Sequence, residues 1–196
     1  VGLITYMRTD STAMAGVAMG EAREVIRARF GASYTMPKGR VYRTKTKGAQ
    51  EAHESIRPTS FRRDPDGLAA HLEPAELRLY RLIWQRALAS QMAAKELETT
   101  TAELTAGRYG LRASATRTLF DGFAAVYTEG RDDDVADEGS GAALPPLAPG
   151  EVTGVRDVIA VQHFTEPPPR YTEATLIKAL EEHGIGRPST YAATIS

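Results

Sequence analysis

The stretch Leu3-Ile4-Thr5-Tyr6-Met7-Arg8-Thr9-Asp10-Ser11 places a phenol, a guanidinium and a carboxylate directly after an apolar segment. Residues 1–7 predict a β-strand, in which Tyr6 and Arg8 share a face because side chains alternate along a strand. Tyrosine is a weak nucleophile at neutral pH, since its ordinary pKa is about 10, but a neighbouring cation favours the phenolate and donates to phosphate oxygens. The pattern suits attack on a phosphodiester. It also fits a packed tyrosine beside a solvated arginine at a strand end.

A second cluster, QEAHESIRP at residues 50–58, contains an imidazole, two carboxylates and an arginine. His53 could hold a phosphate or transfer protons near neutral pH. Residues 38–63 carry eight lysines and arginines against two glutamates, which predicts a phosphate-facing surface that includes Arg57. The alternative for His53 is a surface histidine in a polar helix turn that ends at Pro58. The alternative for the basic segment is a flexible loop of Gly, Lys and Thr that is basic only for solubility.

A third cluster, HGIGRPSTY, occupies residues 183–191. Its two glycines free the backbone, and Ser189 or Thr190 can cap a following helix. Because the N–H groups at a helix N-terminus attract phosphates, this turn is a candidate phosphate contact together with Arg187.

Together and in this order, these clusters resemble the bacterial type IA DNA topoisomerases. The resemblance is carried by ITYMRTDST (4–12), QEAHESIRP (50–58), LYRLIW (79–84), LFDG (119–122) and QHFTEPPPRYTEATLIKALEEHGIGRPSTYA (162–192). It implies an ATP-independent enzyme that cleaves one DNA strand through a 5′-phosphotyrosyl intermediate, passes a strand and religates, which relaxes negative supercoils.

The resemblance also assigns roles to single residues. Tyr6 matches the nucleophile, Arg8 the arginine at the scissile phosphate and His53 a histidine of the same site. Supporting positions in the two clusters are Thr9, Asp10 and Arg57. The positions that match a single-strand DNA groove are Arg187, Ser189 and Thr190.

The expected fold is α+β and forms a central piece of the toroidal type IA fold. We expect a partial, mixed helical tyrosine domain over 1–92, a β-rich arch over 93–165 and the start of a helical single-strand DNA-binding region over 166–196. The underlying patterns are helices from Ser11 to Gly31, from Pro74 to Met92, over 172–182 and from near Ser189, with strands over 96–105, 108–116 and 151–162.

The resemblance implies Mg²⁺, held in relatives by an acidic Asp-x-Asp-x-Glu pattern that precedes the tyrosine. This chain begins only five residues before Tyr6. We therefore expect the metal ligands in a missing N-terminal domain, no metal site in this chain, and an internal piece that is inactive alone. The run Asp132-Asp133-Asp134 is typical of a solvated loop.

Composition sets the remaining expectations. Cysteine is absent, which excludes disulfides and cysteine-based zinc sites. The sequence contains no run of about 18 apolar residues, so no membrane span is predicted. The cytoplasm is the expected compartment. The expected partner is DNA, preferably single-stranded, with a monomeric full enzyme.

Two other readings stay open. The helix over 172–182, its glycine turn and the following helix resemble a helix-turn-helix, so the chain could be a non-catalytic DNA-binding module. A third possibility is a structural piece that only packs against partner domains.

Overall fold

Helices and one β-hairpin make up the regular structure of the described residues, which in the computed structural model are 2–7, 11–42, 53–128, 144–165, 167–186 and 188–195. The α-helices and strands are α1 (Gly16–Phe30), α2 (Pro74–Ser90), β1 (Glu96–Ala106), β2 (Tyr109–Phe120), α3 (Glu173–Glu182) and α4 (Pro188–Ile195). The predicted α+β class is confirmed. The chain divides into a first unit, Val1–Glu96 with Leu119–Glu129, and a second, Leu97–Thr118 with Gly130–Ser196.

Helix α1 supplies one side of the core of the first unit. Its buried residues, spaced three or four apart, are Ala18, Ala22, Val25 and Ile26. The helix ends before Gly31 as predicted, but it begins at Gly16, and the predicted Ser11 cap is wrong. Ser11 Oγ instead accepts from the Ala13 N–H at 3.2 Å, a local turn that satisfies the hydroxyl before the helix starts.

Helix α2 supplies the other side of this core and follows the sequence prediction closely. Pro74 occupies the first turn, where a missing N–H costs nothing, and Glu73 and Glu76 form a capping box. Tyr80, Trp84 and Leu88 are buried at helical spacing. This face of α2 therefore belongs to the core.

The loop after the second sequence cluster is held by this core. Phe61 is 1% exposed. Its carbonyl accepts from Trp84 Nε1 at 2.9 Å, and the Arg63 carbonyl accepts from the Tyr80 hydroxyl at 2.6 Å. Helix α2 thus anchors the chain just beyond residues 53–59.

Strands β1 and β2 form an antiparallel hairpin around Gly107 and Arg108. One face carries hydroxyl pairs, Thr99 with Thr116 at 2.9 Å and Thr101 with Ser114 at 3.1 Å. The predicted strand over 151–162 is wrong, because the structure assigns no strand within the described stretch 144–165. Its valines satisfy β-propensity, but a strand also needs a hydrogen-bonded neighbour.

After β2 the chain returns to the core of the first unit. The Phe123 N–H donates to the Ala93 carbonyl at 2.9 Å. Gly122 has φ +50°, and a Cβ added there would lie 2.4 Å from the Ala94 carbonyl oxygen. Only glycine fits this close approach without a shift of the backbone.

Helix α3 begins and ends as predicted. The Thr172 hydroxyl accepts from the Thr175 N–H at 3.2 Å. At the other end, Gly184 has φ +67°, its N–H donates to the Glu181 carbonyl at 3.0 Å, and the Ile185 N–H donates to the Leu180 carbonyl at 2.8 Å. This is a Schellman termination, which leads into the turn before α4.

Candidate active site

The segment that carries Tyr6 pairs with the segment that carries His53. The Thr5 N–H donates to the Arg57 carbonyl at 2.9 Å, and the Thr59 N–H donates to the Leu3 carbonyl at 2.9 Å. The predicted strand over 1–7 is wrong, since within residues 2–7 it is reduced to one antiparallel bridge between Ile4 and Pro58. The partner segment is too short and irregular to continue a ladder.

The Thr5 side chain reinforces this pairing. Its hydroxyl accepts from the Arg57 N–H at 3.0 Å and donates to the Ser55 carbonyl at 2.8 Å. The Ser55 N–H in turn donates to the Ala13 carbonyl at 2.7 Å. Because backbone groups of Ser55 and Arg57 are satisfied by Thr5 and Ala13, the segment that follows His53 is fixed beside the segment that carries Tyr6.

The structure places the ring of Tyr6 beside the ring of His53. Their ring centroids are 5.9 Å apart with an interplanar angle of 33°. Tyr6 is 67% exposed, so its hydroxyl is open to a large substrate. His53 is half-buried, and its Nδ1 lies away from solvent. An accessible phenol beside a held imidazole can perform nucleophilic chemistry on a phosphate.

Arg57 faces the protein. Its side chain is only 12% exposed, its Nε donates to Glu54 Oε2 at 2.8 Å, and its Nη1 donates to the Pro58 carbonyl at 2.9 Å. These contacts indicate that Arg57 would support the site by holding its structure together. Sequence reasoning assigned no role to Glu54, because an acid three residues before an arginine indicates an ion pair only on a helix, and residues 53–59 are not helical.

Several predicted site residues lie outside the core of the first unit or outside the described residues. Arg8, Thr9, Asp10 and Arg187 lie outside the described residues, as does the run Asp132-Asp133-Asp134. Ser189 and Thr190 lie in the first turn of α4, in the second unit. The roles assigned to all of these positions stay predictions.

Part of the basic segment over 38–63 is paired with acids. Arg62 Nη2 donates to Glu24 at 2.7 Å, and this carboxylate raises the pKa of the Arg62 guanidinium. Arg40 joins its backbone to the Gln91 side chain, with both hydrogen bonds at 3.0 Å. Arg43, Lys45 and Lys47 lie outside the described residues. Arg57 and Arg62 are thus paired with carboxylates, and neither contributes an unpaired charge to the predicted phosphate-facing surface.

A Mg²⁺ ion requires several oxygen ligands that converge on one point. Nowhere in the described residues do three or more His, Asp or Glu side chains converge in a way that could hold a metal ion. The residues in this part of the chain do not fit a Mg²⁺ site.

Within the described ranges, no helix combines the length and apolar character needed to span a bilayer.

A family model described as DNA topoisomerase matches residues 1–196. The chain belongs to the DNA topoisomerase family. DNA topoisomerase 1 of Xylella fastidiosa strain 9a5c is 51% identical over 197 residues, which cover 100% of this chain and 24% of that protein. DNA topoisomerase 1 of Zymomonas mobilis is 50% identical over 200 residues, with 99% and 16% covered.

A solved structure agrees with this membership. Full-length topoisomerase I from Thermotoga maritima superposes with a TM-score of 0.75 at 36% identity, covering 100% of this chain and 30% of that one. The chain thus has the fold of a piece of a bacterial type IA topoisomerase, as the sequence motifs predicted. It spans about a quarter or less of the length of the curated topoisomerases it matches.

Proposed function

We propose that this chain is the tyrosine-bearing part of a longer type IA DNA topoisomerase polypeptide. That enzyme cleaves one DNA strand, passes another strand through the gap and religates, and so relaxes negative supercoils. The observation that carries the proposal is the exposed Tyr6 ring 5.9 Å from the ring of His53, in a chain whose family match spans residues 1–196.

The reaction is a transesterification. The Tyr6 oxygen attacks phosphorus, a bond forms between Tyr6 and the phosphate at the 5′ end of the broken strand, and the bond from phosphorus to the 3′-oxygen breaks. The phenol loses its proton, and the leaving 3′-oxygen gains one. Since one phosphodiester is exchanged for another, religation runs the same steps backwards and needs no ATP.

Two side chains assist Tyr6 in this proposal. Arg8 neutralises the phosphate oxygens as charge develops in the transition state. His53 holds the phosphate or transfers a proton to the leaving 3′-oxygen. The 5.9 Å between the Tyr6 and His53 rings would let one phosphate group contact both. Thr9, Asp10 and Arg57 have supporting roles.

The wider assignments belong to the same proposal. Residues 1–92 form part of the tyrosine domain, 93–165 the arch and 166–196 the start of the single-strand DNA-binding region. Mg²⁺ would be bound by carboxylates elsewhere in the longer polypeptide, which acts as a monomer in the cytoplasm. The 196-residue chain alone is then expected to be inactive.

The single-strand groove is proposed to include the start of α4. Helix α4 begins at Pro188, directly after the Gly184–Gly186 turn. Ser189 and Thr190 therefore lie at a helix N-terminus, where backbone N–H groups suit a DNA phosphate, and Arg187 directly precedes this helix in the sequence.

A non-catalytic helix-turn-helix module is the alternative function. Helices α3 and α4 with their glycine turn are compatible with it. However, such a module has no use for the Tyr6 and His53 cluster, and the family match extends over both ends of the chain. Catalysis is the better-supported proposal.

A covalent adduct distinguishes the two functions. The longer polypeptide would be incubated with Mg²⁺ and a single-stranded oligonucleotide labelled at its 3′ end, then denatured. We expect the label to migrate with the protein, and the 196-residue chain to give neither adduct nor relaxation. Tight duplex binding without any adduct would support the helix-turn-helix module instead.

A further inference from the structure

Glu54 and Arg57 form an ion pair beside the candidate active site. Arg57 Nε lies 2.8 Å from Glu54 Oε2, and the two side chains are only 12% and 33% exposed. The residues are three apart, but residues 53–59 are not helical, so the pair does not serve a helix. The contacts of Arg57 indicate what the pair does.

Arg57 connects the Glu54 carboxylate to the segment that carries Tyr6. Its backbone N–H donates to Thr5 Oγ1, and its carbonyl accepts from the Thr5 N–H. Its Nη1 donates to the carbonyl of Pro58, the residue that bridges Ile4. Tyr6 follows Thr5 directly, and His53 precedes Glu54 directly.

We propose that the Glu54–Arg57 pair is a positioning device, which acts through Thr5 to set the placement of Tyr6 relative to His53. The proposal rests on the function proposed above. Both residues are positioning residues, since neither needs to contact DNA for this effect.

The physical reason is the cost of a largely buried charge without its partner. If Glu54 lost its negative charge, the Arg57 guanidinium would have a lower free energy when turned towards water, which solvates its charge. That movement would release the Pro58 carbonyl and weaken the pairing with Thr5. A displacement of about 1 Å between reacting groups can slow a reaction about 100-fold, so a small loosening is enough.

The test compares Glu54→Gln with Glu24→Gln in the longer polypeptide. Glu24 is a matched control, because it is also paired with an arginine, Arg62, but both side chains are 68% exposed. Three quantities are measured: amide hydrogen exchange at Thr5 and Thr59, the single-turnover cleavage rate of single-stranded DNA with Mg²⁺, and the Kd for the same DNA.

For Glu54→Gln we expect exchange at Thr5 and Thr59 to be about tenfold faster and cleavage about 10- to 100-fold slower, with Kd within about twofold of the parent. Glu24→Gln should match the parent in all three. Slower cleavage and faster exchange at Thr5 and Thr59, with Kd preserved, separate positioning from general loss of structure. Glu54→Asp keeps the charge and should cleave at an intermediate rate, even if Glu54→Gln is poorly folded.

Each contrary outcome would reject a different part of the proposal. Glu54→Gln that cleaves within twofold of the parent, or Glu54→Asp slower than Glu54→Gln, would overturn the positioning role. Unchanged exchange at Thr5 and Thr59 would overturn the link through Arg57. If the parent itself forms no adduct, the proposed function fails, while the exchange measurement still tests the link on its own.

Discussion

The ring of Tyr6 lies 5.9 Å from the ring of His53, although the two residues belong to separate segments of the chain. Backbone bonds between Thr5 and Arg57 bring these segments together, at 2.9 Å from the Thr5 N–H to the Arg57 carbonyl. The hydroxyl of Thr5 adds a second bond to the same residue at 3.0 Å. An exposed phenol and a half-buried imidazole are thereby held as one candidate site.

Tyr6→Phe in the longer polypeptide should abolish the covalent adduct while leaving single-stranded DNA binding within about twofold, because only the hydroxyl is removed. Adduct formation is read from the labelled oligonucleotide after denaturation, and binding from a titration. Tyr109→Phe is the control, as Tyr109 is similarly exposed, at 60% against 67%, but lies in the hairpin. An adduct that persists in Tyr6→Phe would mean that another residue is the nucleophile.

Arg8→Ala and His53→Ala should each slow cleavage by about 30- to 1,000-fold, which corresponds to about 2–4 kcal/mol of lost transition-state stabilisation. We expect Arg8→Ala to be the more severe, because it removes a permanent positive charge. Single-turnover cleavage rates measure both effects. Arg78→Ala, an exposed position on α2, serves as the control. Rates within twofold of the parent for both variants would remove these residues from the site.

Arg187→Ala should weaken binding to single-stranded DNA of any sequence and reduce the slope of log K against log salt by about 0.7, the value for one lost phosphate contact. Titrations with single strands and with blunt duplex at several salt concentrations provide the measurement. The parent should prefer the single strand. A preference for duplex, with affinity lost only at one cognate sequence, would instead favour a helix-turn-helix reader.

Gly122→Ala should destabilise the first unit by about 1–3 kcal/mol, because the backbone is at φ +50° and the new Cβ would meet the Ala94 carbonyl oxygen at 2.4 Å. Gly67→Ala is the control, since nothing lies within 4 Å of its Cβ position. Urea unfolding followed by Trp84 fluorescence compares the two. Equal midpoints for the two variants would show that the return of the chain after β2 tolerates a side chain.

Stability should fall in strong alkali through Tyr80. Burial raises the pKa of its hydroxyl above the ordinary 10.0, and that hydroxyl donates to the Arg63 carbonyl at 2.6 Å. Because the folded pKa is the higher one, its contribution is fully present below pH 10 and is lost as the pH rises through the folded value. Tyr80→Phe should therefore show a smaller drop in unfolding free energy between about pH 9 and about pH 11. An unchanged drop would assign the effect to other groups, such as Tyr34, whose pKa is raised by its hydrogen bond to Asp121.

Helix predictions succeeded where the signal is local. Pro74 marks the first turn of α2, Thr172 caps α3 and Gly184 terminates it, as their sequence positions indicated. Each of these residues acts on backbone groups within four positions along the chain. Neighbouring residues are sufficient for such an assignment.

Strand predictions failed for residues 1–7 and 151–162, and the start of α1 was misplaced at Ser11. A strand depends on a partner that is distant in sequence, and propensity does not name that partner. For residues 2–7 the partner is the segment 55–59, which supports only one bridge, between Ile4 and Pro58.

By itself the sequence determined the family, the helices of the core and the identity of Tyr6 and His53 as chemically suited groups. The tertiary structure alone decided that these two rings are neighbours and that Arg57 turns inward to Glu54 rather than outward to a phosphate. The reason is that residue type and local spacing determine what a side chain can do. Which groups meet depends on backbone hydrogen bonds and burial between segments far apart in the chain, here Thr5 with Arg57.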